Sequence, residues 1–181
     1  MPHILYIGAM MIIINTGEGK GKTTAAMGQI IRALGHGKRV CLIQLFKAKE
    51  FYGEQNILTK LELLSFFSYA PFHPFCVKTA RISDVLSQCA LALEHLAQIA
   101  AAKNLYDLIV LDEFNIALRD NFIDKAKFLP LVKVLSSQAD IVITGRGAPR
   151  ELIDAADIVS EMKEIKHHYR KGIGARSSIE F

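Results

Sequence analysis

The chain has 181 residues, 51% of them hydrophobic and 22% charged, with a formal net charge of +4. That is enough apolar material for one sizeable core, so a single domain over residues 1–181 is expected. The basic residues are spread along the chain and form no stripe of the kind nucleic acid needs, so small polyanions are the expected partners and nucleic acid is not.

The apolar start from Ile4 to Ile14 lacks a basic n-region and falls well short of the ~20 residues that span a bilayer, so it suggests neither a signal peptide nor a membrane anchor. Met10–Asn15 reads as a strand. It empties into Thr16-Gly17-Glu18-Gly19-Lys20-Gly21-Lys22-Thr23-Thr24, and a helix is expected over Lys22–Leu34, closed by Gly35. Glycines let a backbone wrap closely enough to aim successive N–H groups at phosphate oxygens, and the helix N-terminus adds partial positive charge. Lys22 is placed to bring a full charge to the phosphates, and the Thr23 hydroxyl to ligate Mg²⁺. Gly17, Glu18, Gly19, Lys20, Gly21, Lys22, Thr23 and Thr24 are therefore the expected nucleotide-binding residues. The motif is a variant, because Thr16 stands where the usual phosphate loop has its first glycine.

Further strands are expected at Arg39–Phe46, Leu61–Phe66, Leu108–Asp112, Ile141–Thr144 and Ile158–Glu161, and helices at Asp84–Lys103, Asp124–Ser136 and Arg150–Ala155. Most of the strands are continuous apolar runs. Alternating with helices, they predict an α/β fold with a mostly parallel central sheet covered by helices on both faces. In such sheets ligands sit beyond the strand carboxyl ends. Besides the phosphate loop, Lys47–Gln55 and the aromatic segment Phe66–Phe75 are expected there. The latter holds five aromatics and two prolines and is expected to be irregular.

The strand Leu108–Asp112 ends on Asp112-Glu113, a costly place for two carboxylates unless a cation is near, so both are expected to hold Mg²⁺ together with Thr23. Arg146, between Gly145 and Gly147 after the next strand, is aimed at the same rim and is expected to neutralise a phosphate or a substrate carboxylate. Cys41, Cys76 and Cys89 form no Cys-x-x-Cys pair, and their odd number argues against a disulfide framework and for a reducing cytoplasm. The tail Lys166–Arg176 is the one dense basic patch. Its adjacent His167 and His168 are expected to point apart, as strand neighbours do.

Several separated pieces together resemble the phosphate-loop type of ATP:corrinoid adenosyltransferase. They are Thr16–Ala26, the Gly35–Lys38 turn, Gln44-Leu45-Phe46-Lys47, Gly53-Glu54, Leu111–Glu113, Ile143–Gly147 and the closing Lys166–Phe181. The resemblance implies a homodimer that transfers the 5′-deoxyadenosyl group of ATP to Co(I) of a reduced corrinoid and releases triphosphate. It also implies Mg²⁺, a reducing flavoprotein as partner, and an ATP lying reversed so that C5′ is exposed. Lys22 and Arg146 are then the catalytic candidates. The family's Phe-x-Trp pair, implicated in displacing the lower cobalt ligand, fits best at Phe75-Cys76-Val77, although the chain contains no tryptophan. Phe75 is thus the expected corrinoid contact, with Phe72 or Tyr69 able to take the tryptophan's place. Two other readings stay open on the residues alone: a phosphate-loop ATPase or small-molecule phosphotransferase, and a non-catalytic corrinoid- or nucleotide-binding protein.

Overall fold

Successive side chains of a strand point to opposite faces, and here both faces are apolar. In the computed structural model, which describes residues 10–48, 51–73 and 80–179, Val40 and Leu42 face one side of the sheet while Cys41, Ile43 and Leu45 face the other. The strands are β1 (Ile12–Thr16), β2 (Val40–Leu45), β3 (Leu64–Tyr69), β4 (Leu108–Asp112), β5 (Asp140–Thr144) and β6 (Ile158–Glu161). They form a six-stranded sheet in the order β3-β2-β4-β5-β1-β6, and every pairing is parallel.

Helix α1 (Lys22–Gly35) and the single turn α2 (Gln55–Leu58) cover one face, where Ala26, Ile30 and Leu58 pack on Val40, Leu42, Leu108, Val110 and Val142. The other face carries α3 (Ile82–Ala102), α4 (Phe114–Arg119), α5 (Lys125–Leu135) and α6 (Arg150–Ala155). Among the described residues α3 alone is long and apolar enough to cross a membrane. It is amphipathic, however: Val85, Cys89, Ala92, Leu96 and Ile99, spaced by three and four residues, form a buried stripe against the sheet. Asp124 caps α5 by accepting from the Ala126 N–H at 2.8 Å.

The α/β expectation holds, with the sheet entirely parallel, and most element boundaries fall within two residues of those expected. Three local expectations are corrected. First, β3 begins and ends three residues later than expected, so Phe66–Tyr69 is regular strand; the first proline of that segment is Pro71, and it constrains only what adjoins it. Second, α2 and α4 were not foreseen, being too short to show helical periodicity. Third, His167 and His168 do not point apart: a 3₁₀ turn starts at His168, and the two rings stack at 4.7 Å.

A buried leucine on α3 reports on the coupling of helix to sheet. Leu96→Ala, at a site with no solvent exposure, is expected to destabilise the fold by about 2–5 kcal/mol in denaturant titration.

Candidate functional site

Because all strands are parallel, their carboxyl ends share one edge, and the register aligns the polar residues there. Asn15 of β1 pairs with Thr144 of β5, and Gln44 of β2 with Asp112 of β4. A cavity of about 850 Å³ opens above them, lined by Glu18 through Thr24, Lys47, Tyr52, Gly53, Glu54, Glu113 and Arg146.

The glycine loop is shaped by close approach. Gly17 and Gly21 have φ of +97° and +115°, and a Cβ on Gly17 would lie 2.5 Å from the Met162 carbonyl oxygen. At Gly19 a Cβ would come within 2.7 Å of both the Met162 and Lys163 carbonyl oxygens, while its own N–H donates to Met162 O at 2.7 Å. Only glycine lets the loop lie this tightly on the end of β6. Lys22 is buried, and its ammonium donates to the carbonyls of Gly17 and Gly19 at 2.7 and 2.6 Å. Burial lowers its pKa from the ordinary lysine value. Lys20 and Thr24 are exposed at the cavity rim.

Beneath the loop lies Asp112, with no solvent exposure. One carboxylate oxygen accepts from the Thr23 and Thr144 hydroxyls at 2.9 and 2.6 Å. The other accepts from Gln44 Nε2 at 3.0 Å and pairs with Lys47 Nζ at 2.9 Å. Burial opposes the charge on Asp112, but Lys47 and these hydrogen bonds win and hold its pKa below the usual carboxylate range. Burial likewise opposes the Lys47 ammonium, and the Asp112 charge overrides it and raises the lysine pKa.

Glu113 differs. Its backbone is left-handed at φ +67°, a strained conformation for a residue with a Cβ. Its Oε2 is shielded from solvent and finds no hydrogen-bond donor among the described residues. Burial, with the Asp112 charge second, pushes its pKa up to about 7. A strained acid with an orphaned oxygen, lining the same cavity as Thr23, suits a cation ligand. Among the described residues no three His, Cys, Asp or Glu side chains converge as a metal cage, so a cation here would draw on nucleotide and water for its remaining ligands.

Arg146 reaches the rim as expected, where its Nε lies 3.3 Å from Glu18 Oε2. It also borders a second cavity of about 480 Å³, lined by Phe46, Phe51, Phe72, His73, Ile116 and Arg119. Phe75, with Cys76 and Val77, lies outside the described residues. Of the two alternatives for the missing tryptophan, Phe72 lines this cavity, whereas the Tyr69 hydroxyl lies 3.0 Å from Nδ1 of His95 on α3. Cys41 and Cys89 are buried free thiols, each pushed up to about 12 by burial, and take no part in the site.

The site residues that motif reading left without a role are Lys47, Gln44 and Thr144. A glutamine inside the otherwise apolar run Val40–Leu45 and a lysine just beyond it were the available signal, since buried polar groups need partners.

Residues 9–181 match the family described as ATP:corrinoid adenosyltransferase BtuR/CobO/CobP. The chain belongs to this family. Among adenosyltransferase relatives, the corrinoid adenosyltransferase of Pseudomonas aeruginosa is 33% identical over 172 residues, which cover 94% of this chain and 83% of that protein. That of a Sinorhizobium species is 34% identical, covering 94% and 80%. Corrinoid adenosyltransferase CobA of Salmonella typhimurium is 33% identical, covering 94% and 85%. Among solved structures, the flagellar accessory protein FlaH from Methanocaldococcus jannaschii shares the fold, with a TM-score of 0.54 at 15% identity over 84% of this chain and 70% of that one.

The environment of Glu113 has a measurable consequence. Between the ordinary glutamate value of 4.5 and about 7, the folded chain keeps a proton that the unfolded chain has lost, so this residue costs stability progressively as pH rises through that window. Glu113→Gln, which cannot ionise, is expected to melt above the wild type at pH 8 without nucleotide, by at least roughly 2–4 °C, the shift that 1 kcal/mol gives a domain of this size. The gap should close as pH falls toward 4.5.

Proposed function

We propose that this chain transfers the 5′-deoxyadenosyl group of ATP to the Co(I) centre of a reduced corrinoid and releases triphosphate. Membership of the adenosyltransferase family over residues 9–181 carries this reading, and the glycine loop resting on β6 supports it as a cradle for the triphosphate. The family match does not favour the rival readings of a hydrolase, a phosphotransferase or a binding-only protein.

In this reaction the cobalt electron pair forms a bond to ribose C5′, and the C5′–O bond breaks with its electrons leaving on the triphosphate. Cobalt is the nucleophile, so no general base is required. The protein has to align C5′ with cobalt and stabilise the departing charge. We assign the second task to the loop N–H groups, Lys22 and Arg146. Lys22 would exchange the carbonyls of its own loop for phosphate oxygens. Thr23, Asp112 and Glu113 would hold magnesium, which when bound supplies further positive charge to the triphosphate.

The second cavity is our candidate for the corrinoid side. It is rich in aromatic rings, from Phe46, Phe51, Tyr52 and Phe72, and shares Lys47, Tyr52, Glu113, Ile116 and Arg146 with the nucleotide cavity. Phe72, which lines this cavity, would act where the family uses tryptophan, with Phe75 as the second corrinoid contact. A homodimer and a reducing flavoprotein as electron donor, which the family resemblance implies, and a cytoplasmic location, for which the odd number of cysteines speaks, complete the proposal.

The test is anaerobic incubation of the protein with Mg-ATP and chemically reduced cob(I)alamin. A cobalt–carbon product in the visible spectrum, formed with stoichiometric triphosphate, is expected; ATP consumed to phosphate with no spectral change would refute the transfer. Lys22→Ala is expected to keep the wild-type circular dichroism and to lose roughly 10²–10³-fold in kcat. Phe72→Ala is expected to slow the reaction more when the corrinoid is supplied as Co(II) with a reductant than when it is supplied as Co(I).

A further inference from the structure

We infer that the Lys47 ammonium is a built-in counter-ion. It stands in for the divalent cation at the Thr23–Asp112 corner and yields that place only when the cation arrives with nucleotide. Lys47 is 7% exposed and follows β2, the strand whose Gln44 lies in register with Asp112. Its Nζ lies 2.9 Å from Asp112 Oδ2 and donates to Thr23 Oγ1 at 3.1 Å. The Thr23 hydroxyl spends its proton on Asp112 Oδ1, at 2.9 Å. Its lone pairs, the part a metal would use, therefore face Lys47. The ammonium thus holds the two atoms a magnesium would approach, in a place with little water to screen it.

A divalent ion bound to those oxygens at about 2.0–2.1 Å would sit against the ammonium as a like charge in a low-dielectric pocket. Asp112 and Glu54, the two carboxylates within ion-pair distance of Lys47, carry two formal negative charges against the three positive charges of ammonium and divalent ion, and a triphosphate makes up the difference. Lys47 also has a second berth on the cavity wall. Glu54 Oε1 lies 3.7 Å from its Nζ, and the Tyr52 ring centroid 5.1 Å away. The ammonium can swing toward these without losing an acidic partner or the face of an aromatic ring.

This assignment rests on the magnesium site proposed above, and its test separates the two. The probe is Mn²⁺, followed by the electron paramagnetic resonance of the free ion, with no corrinoid present. Nucleotide-free wild type is expected to leave the signal unchanged. Nucleotide-free Lys47→Met is expected to bind Mn²⁺ at least about tenfold more tightly than wild type, and its melting temperature to rise with Mn²⁺ while that of wild type does not. Lys47→Gln, neutral but polar, serves the same comparison if the methionine variant does not fold. Equal Mn²⁺ uptake by nucleotide-free wild type and variants would overturn the role of Lys47 while leaving the metal site standing, provided Thr23→Val weakens the Mn²⁺–ATP–protein complex. If Thr23→Val leaves that complex unaffected, the metal site itself fails and this inference falls with it.

Discussion

A fully buried carboxylate holds the functional edge of this molecule together. Asp112 has no contact with solvent, and an ion taken out of water at that depth survives only if its oxygens are satisfied. They are, by four donors from four different places: Thr23 on α1, Gln44 on β2, Lys47 beyond β2 and Thr144 on β5. β2 and β5 are the strands on either side of β4. The parallel order of the sheet is what brings these residues to one edge, and the charge in turn penalises any slip in register, since losing one partner of a buried pair costs about 3–5 kcal/mol.

The second constraint is steric. The loop after β1 leans on the chain leaving β6, at distances that leave no room for a Cβ on Gly17 or Gly19. β6 is an exposed edge strand with no buried residue. Its backbone nevertheless sets the curvature of the loop, through the Met162 carbonyl that accepts from Gly19 N–H. Residues further along the tail, His167, Ser178 and Ile179, line the same cavity. The carboxyl-terminal part of the chain therefore shapes the nucleotide site directly, without passing through the core.

Much of this was legible in the sequence, and the divide follows the range of the interactions. Strands buried on both faces announce themselves as apolar runs, and the glycine loop announces itself in its own glycines, although the backbone that shapes it lies far along the chain after β6. β3 was misplaced because Phe66 to Tyr69 are good strand formers beside a proline-containing loop, and sequence alone does not say where the influence of Pro71 ends. Helices α2 and α4 are one or two turns long and too short to display a period. The cluster around Asp112 was half visible. Its acidic end and Thr23 were readable, but Gln44, Lys47 and Thr144 join it across 68, 65 and 32 residues of chain, and only the strand order brings them there. Family resemblance had marked the segments that contain all three without saying what they do.

The two cavities meet along a wall that carries both apolar and charged groups. Ile116 and Tyr52 present carbon there, while Lys47, Glu113 and Arg146 present charge. A transfer reaction in which a soft, reduced metal centre attacks carbon and a polyanion departs needs this juxtaposition. In the proposed reaction the nucleophile would gain from the aromatic side, where Phe46, Phe51 and Phe72 line the second cavity and limit competition by water. The leaving group gains from fixed positive charge that need not reorganise as the bond breaks. Placing the two environments on opposite sides of one wall, a few side chains thick, meets both demands without a titrating base. The most deeply buried acid of the site, Asp112, is satisfied at the strand tip by Thr23, Gln44, Lys47 and Thr144, so in the proposed reaction its charge would hold the cations that face the triphosphate instead of meeting the departing anion.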